Sequence, residues 1–113
     1  MAIKKVSYGY SGTITNHEQQ LQALEYIEKG IEVFILSSRD TPEGMYLIAD
    51  HLGIPHENVF ATGDNDKKIQ QIEELEVDIH YDTNPYVIEN LGDKAVTVEP
   101  AKMTNVDIRY IAV

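Results

Sequence analysis

A chain of 113 residues, 42% of them apolar, has room for one core and so for one domain over residues 1–113. Nineteen acidic residues against nine Lys and Arg give a formal charge of -10, which disfavours nucleic-acid and anionic-membrane partners. The absence of cysteine excludes a disulfide framework, a thiolate nucleophile and a cysteine-based zinc site. No apolar run approaches the ~18 residues of a membrane span, and Met1 to Lys5 carry no signal-peptide apolar stretch, so the expected location is cytoplasmic.

Ile3 to Tyr8 alternates in hydrophobicity and predicts a first strand. Gly9-Tyr10-Ser11-Gly12-Thr13 follows as a strand-to-helix turn of the kind that hosts ligands in open α/β sheets, with Gly12 as its hinge. The turn holds no carboxylate, thiol, His or Lys. A helix begins at Asn16, paired with Gln19 in a capping-box pattern, and Leu21, Leu24, Ile27 and Ile31 form its expected buried stripe. Lys29-Gly30 gives it a left-handed stop. The continuous apolar run from Glu32 to Leu36 predicts a strand covered on both faces, hence a parallel sheet.

Thr41-Pro42 is read as a cap and first helical residue, with Met45, Ile48, Ala49 and Leu52 at helical spacing and Gly53 as the stop. A third strand is expected from Asn58 to Ala61, then a helix turning Ile69, Ile72 and Leu75 inward, then a fourth strand from Val77 to Tyr81. Asn84-Pro85 opens a short helix ending at Gly92, Ala95 to Val98 is a fifth strand, and alternation from Val106 to Val113 predicts an extra carboxyl-terminal strand. This alternation of strand and helix is that of a three-layer α/β/α sandwich with a doubly wound parallel sheet.

The strand ends carry Gly12-Thr13-Ile14-Thr15, Ser37-Ser38-Arg39, Thr62-Gly63, Lys67-Lys68 and His80-Tyr81-Asp82-Thr83-Asn84-Pro85 in that order. This set resembles the haloacid dehalogenase (HAD) phosphohydrolase superfamily, in its small capless form, from Ile3 to Val98. The expected strand order is 5-4-1-2-3, with Ser37, Asp82 and the Gly9–Thr13 turn at one rim. The resemblance implies an aspartate nucleophile at position 9 and an acid/base aspartate at position 11, where this chain has Gly9 and Ser11. It implies phosphate-binding roles for Gly12, Thr13, Ser37, Ser38 and a lysine that is either Lys67 or Lys68. Magnesium would fall to Asp82, with Thr83 at the position of the second acid.

Glycine cannot form an aspartyl-phosphate, and a serine hydroxyl does not exchange protons near neutrality as a carboxylate does. No catalytic residue is therefore expected at Gly9 or Ser11, and no cofactor, because Asp82 and a Ser11 carbonyl are a poor magnesium set. What remains is an anion-binding floor of turn N–H groups, Ser37 and a lysine. The expected function is a catalytically impaired HAD-like domain that binds or regulates, its ligand a protein partner or a phosphorylated small molecule. The alternative is a magnesium-dependent phosphohydrolase with atypical catalytic residues, or a mutated form of one.

Other residues read as structural. His51 and His80 are expected to serve the fold, and Asp64 to cap a helix rather than to begin, with Asp66, a calcium loop. Seven tyrosines are many for this length, and Tyr8, Tyr10, Tyr81 and Tyr86 are expected near the rim as a surface for a protein partner.

Overall fold

The computed structural model describes residues 2–99. Five strands, β1 (Lys5–Gly9), β2 (Glu32–Ser37), β3 (Val59–Ala61), β4 (Ile79–Asp82) and β5 (Ala95–Thr97), alternate with α1 (His17–Glu28), α2 (Met45–Leu52), α3 (Asn65–Leu75) and α4 (Pro85–Leu91). Every neighbouring pair is parallel and the order is β3-β2-β1-β4-β5, the expected order read from the other edge. The expected strand from Val106 to Val113 lies outside the described residues. No helix among the described residues is long and apolar enough to cross a membrane.

Direction of travel explains the layers. The chain steps from β1 to β2 to β3, and α3 then carries it back across the sheet to β4 on the far side of β1. Hence α1 and α2 cover one face, where Ala23, Met45 and Ala49 pack on Val6, Tyr8, Val33 and Ile35. On the other face Ile72 of α3 and Val87 of α4 pack with Phe34 and Leu36. The order reverses between β1 and β4, so the crevice at their carboxyl ends is where an open α/β sheet offers a site.

The helix α1 departs from its sequence pattern. Leu21 and Leu24 are exposed, and the residue sealed against the sheet is Ala23, with Tyr26, Ile27 and Ile31 packed around the core. The cause lies on the sheet. Tyr8 and Tyr81 are neighbours in register and stack with centroids 5.0 Å apart, in the same core cluster as Ala23. The Tyr8 hydroxyl donates to Gln22 at 2.7 Å, and the Tyr81 hydroxyl bonds that of Tyr26, so two polar handles fix the roll of the helix. The capping box also fails to form. Asn16 occupies the cap position without a side-chain cap bond; its amide donates back to the Gly12 carbonyl at 3.4 Å.

The start of α2 is likewise displaced, from Thr41-Pro42 to Met45, with Gly44 as its cap at φ 83°. Residues 38–44 are committed to loop bonds: Arg39 N–H donates to Ser37 Oγ, Gly63 N–H to the Arg39 carbonyl and the Arg39 guanidinium to the Glu43 carbonyl. The backbone angle at Gly44 favours glycine, and a Cβ there would lie 2.6 Å from the Tyr10 hydroxyl, which would have to move aside. The later elements follow their signals: Asp64 caps α3 by accepting from Lys67 N–H at 2.7 Å, and Asn84 caps α4 with Pro85 in the first turn.

Burial rather than hydrophobicity should therefore decide mutational cost on the helices. Ile72→Ala is expected to lower unfolding free energy by about 2–5 kcal/mol, whereas Leu24→Ala should cost under ~1 kcal/mol. Urea unfolding of both variants checks the contrast.

Candidate functional site

Backbone geometry shapes the loop at the crevice first. Ser11 (φ -64°, ψ 127°) and Gly12 (φ 72°, ψ -1°) have the angles of a type II turn, whose third residue needs positive φ. The turn is tied to the start of α1, since Gly12 N–H donates to Thr15 Oγ1 at 3.0 Å and Thr15 N–H to the Tyr10 carbonyl at 3.4 Å. One of the turn N–H groups expected to meet an anion is thus already occupied. Thr13 is fully buried, and its hydroxyl has no partner among the described residues.

Beneath the loop lies a chain of buried polar groups. Strand alternation puts Ser7 and Gly9 of β1, and His80 and Asp82 of β4, on the face covered by α3. Ser7 Oγ is 2.7 Å from His80 Nδ1, His80 Nε2 is 2.7 Å from Asp82 Oδ2, and Lys68 Nζ reaches the same oxygen at 2.7 Å. Asp82 Oδ1 accepts from the N–H groups of Thr83 (2.8 Å) and Asn84 (3.0 Å). The side chains of Lys68 and Asp82 are 6% and 3% exposed, and Ser7 and His80 are fully buried.

These surroundings set the charges. Burial would raise the Asp82 carboxyl, but the hydrogen bond from His80 and the Lys68 ammonium outweigh it and hold the group well below the usual carboxylate range. Burial pushes the His80 imidazole below its ordinary value, against the pull of Asp82, and Lys68 adds to the depression. A neutral ring with its proton on Nε2 satisfies the whole chain: Ser7 donates to Nδ1 and Nε2–H donates to Asp82. The contact of His80 with Asp82 is then a hydrogen bond, and the ion pair is Lys68 with Asp82. The Ser-His-Asp connectivity is that of a nucleophilic triad, yet Ser7 sits at zero exposure in the central strand and presents no hydroxyl to a substrate.

Gly9 is what makes room for this. A Cβ built there would lie 2.8 Å from Cγ and from both oxygens of Asp82. The Asp82 carboxylate therefore fills the space into which a side chain at position 9 would project. His80 and the Lys68 ammonium at Oδ2, with two backbone N–H groups at Oδ1, crowd that carboxylate and make it a poor metal ligand. Magnesium does not fit this donor set.

The other residues singled out from the sequence are placed as follows. Ser37 ends β2, is 5% exposed and accepts from Arg39 N–H; Ser38 is half-buried beside it. Of the two lysines, Lys68 turns inward to Asp82, while Lys67 is exposed and lines a separate cleft at the sheet edge. Ser11 is exposed and Gly12 lies against Thr83. Tyr8 and Tyr81 are core residues rather than rim residues, which leaves Tyr10, under the Arg39 guanidinium, and Tyr86, bonded to Asp66, nearer the surface. His80 is structural as expected, whereas His51 is simply exposed on α2. Ser7, which also belongs to the buried chain, is not among the residues singled out from the sequence. Its signal was a polar residue inside an apolar strand, two positions before a glycine.

Compared with known proteins, the sequence matches no family model and no curated protein. Its fold is similar to the solved structure of DsGPDH of Dunaliella salina, with a TM-score of 0.60 and 17% identity over 87% of this chain. The chain spans 25% of that protein's length, and the likeness is one of fold. It agrees with the Rossmann-like α/β sheet described above.

Gly9→Ala is expected to destabilise by about 1–3 kcal/mol through overpacking against Asp82, although the extended backbone at position 9 suits alanine. Thermal unfolding measures this. Acid should destabilise the protein in two steps. Both native pKa values are depressed, so the unfolded chain binds more protons: stability should fall below pH ~6.5 as the unfolded histidine protonates, and again below pH ~4 as Asp82 does. Urea unfolding from pH 7 downward reads both steps, and His80→Gln should flatten the first.

Proposed function

We propose that this chain is a catalytically disabled HAD-like domain that acts as a binding module for a protein. The observation that carries the reading is the Asp82 carboxylate, which stands where a side chain at position 9 would project and is locked there by Lys68, His80 and two backbone N–H groups. Three further features support the family resemblance: a parallel sheet of the expected order, the glycine turn after β1, and a lysine from α3 meeting an aspartate at the end of β4. Covalent phosphoryl transfer needs a nucleophile at position 9, and Gly9 supplies none.

A protein ligand is favoured over a phosphorylated small molecule by the state of Lys68. Its ammonium is spent on Asp82 and its side chain is 6% exposed, so an anion at the turn would meet no free charge from that lysine. The overall charge of -10 opposes anion approach as well.

The purified chain should release no phosphate from p-nitrophenyl phosphate with magnesium, measured as absorbance against a no-protein blank. Magnesium-dependent turnover would overturn the proposal in favour of an atypical phosphohydrolase. Phosphate titrated to ~10 mM, well above an ordinary millimolar anion site, should leave the amide resonances of Gly12, Thr13 and Ser38 in place. Saturable shifts at those amides would instead identify a phosphorylated ligand.

A further inference from the structure

The sheet ends at β3, whose outer edge pairs with no strand among the described residues. A cleft of about 600 Å³ lies against it. Val59, Phe60 and Ala61, all three residues of the strand, line this cleft. Successive side chains of a strand point to opposite faces, and here Val59 and Ala61 pack with the α1–α2 core while Phe60 packs with the α3–α4 core. A cleft that touches all three therefore runs along the edge of the sheet and meets the backbone itself. Pro42 and Tyr46 form one wall, and Lys67, Gln70 and Glu74 of α3 form the other.

The backbone of β3 has hydrogen-bonding capacity facing this cleft. Thr62 N–H donates inward to the Ser37 carbonyl at 2.8 Å. In a planar trans peptide the carbonyl points opposite to the N–H of the same unit, and no cis peptide occurs among the described residues. The Ala61 carbonyl consequently faces away from β2, into the cleft. The strand has neither the proline nor the charged side chain with which proteins commonly blunt a free edge.

We propose that this groove is a docking site for an extended, basic segment of a partner protein, which adds to the sheet beside β3. Main-chain bonds to the strand edge supply registry, and the flanking walls supply selection. Asp40, and Glu74 on α3, both exposed, outnumber Lys67 among the charged lining residues, in a protein whose net charge is -10. That balance attracts lysine or arginine side chains projecting from alternate positions of the segment. It also disfavours a second copy of this chain as the occupant, since two bodies of charge -10 repel one another. The inference rests on the binding-module reading and names its surface and partner class; it does not depend on the HAD resemblance.

The test uses the full chain and an acetylated, amidated peptide of about six residues alternating lysine and valine, matched in length to an ordinary strand. Amide shifts at Val59 to Thr62 are expected to saturate at millimolar peptide. N-methylation of alternate peptide nitrogens should weaken binding at least ~10-fold, because it removes main-chain donors and leaves every charge in place. Asp40→Lys combined with Glu74→Lys, both at exposed positions, should shift preference to a peptide of the same length alternating glutamate and valine. No saturable shift, shifts elsewhere, or binding indifferent to N-methylation overturns the proposal. Shifts at Val59 to Thr62 that grow with protein concentration in the absence of peptide overturn it in favour of a second copy. Phosphate release with peptide binding intact would sink the module reading and leave the groove standing. Loss of peptide binding with no phosphatase activity would do the reverse.

Discussion

The ion pair between Lys68 and Asp82 is the constraint on which the centre of this molecule depends. Removing two charges from water costs several kcal/mol per ion unless geometry and further hydrogen bonds compensate. Compensation here is extensive: the carboxylate accepts from the lysine, from the His80 ring and from two backbone N–H groups. The same bonds tie α3 to the end of β4 and, through His80 and Ser7, to the middle of β1. A hydrophobic pair in that place would tolerate sliding of α3 over the sheet, whereas directional bonds between these partners do not.

Gly9 belongs to the same device, because the carboxylate lies where its Cβ would be. The consequence reaches the chemistry. At the switch point of an open α/β sheet, polar groups ordinarily face a ligand; here the most strongly charged of them face one another. A carboxylate crowded by N–H donors is a weak base and a poor metal ligand, and an ammonium held by it has little charge left to offer an anion. At the ends of β1 and β4 of this Rossmann-like sheet, the buried polar groups hold the layers together.

Accessible hydrogen-bonding capacity lies instead at the sheet edge. The edge of β3 is recessed between the approach to α2 and the flank of α3, so its outward Ala61 carbonyl faces a groove rather than open water. Lys67 and Lys68 illustrate the division between centre and edge. Adjacent in sequence and about 100° apart around the helix, one is exposed at the groove and the other is buried in the ion pair.

Much of the architecture was legible in the sequence because it rests on local chemistry. The apolar run of β2, the left-handed glycine stops after α1 and α2, the Asp64 cap and the Asn84-Pro85 opening each determine their element within a few residues. Three features were decided only in three dimensions. The roll of α1 is set by the Tyr8–Tyr81 stack beneath it, so the exposed leucines and the buried Ala23 invert what periodicity implies. Which of Lys67 and Lys68 reaches Asp82 follows from which flank of α3 meets β4, a matter of tertiary placement. The meeting of Ser7, His80 and Asp82 joins residues more than 70 positions apart, and only the parallel pairing of β1 with β4 brings them onto one face. Sequence fixes what each side chain can do, but burial and pairing decide which groups it does it with.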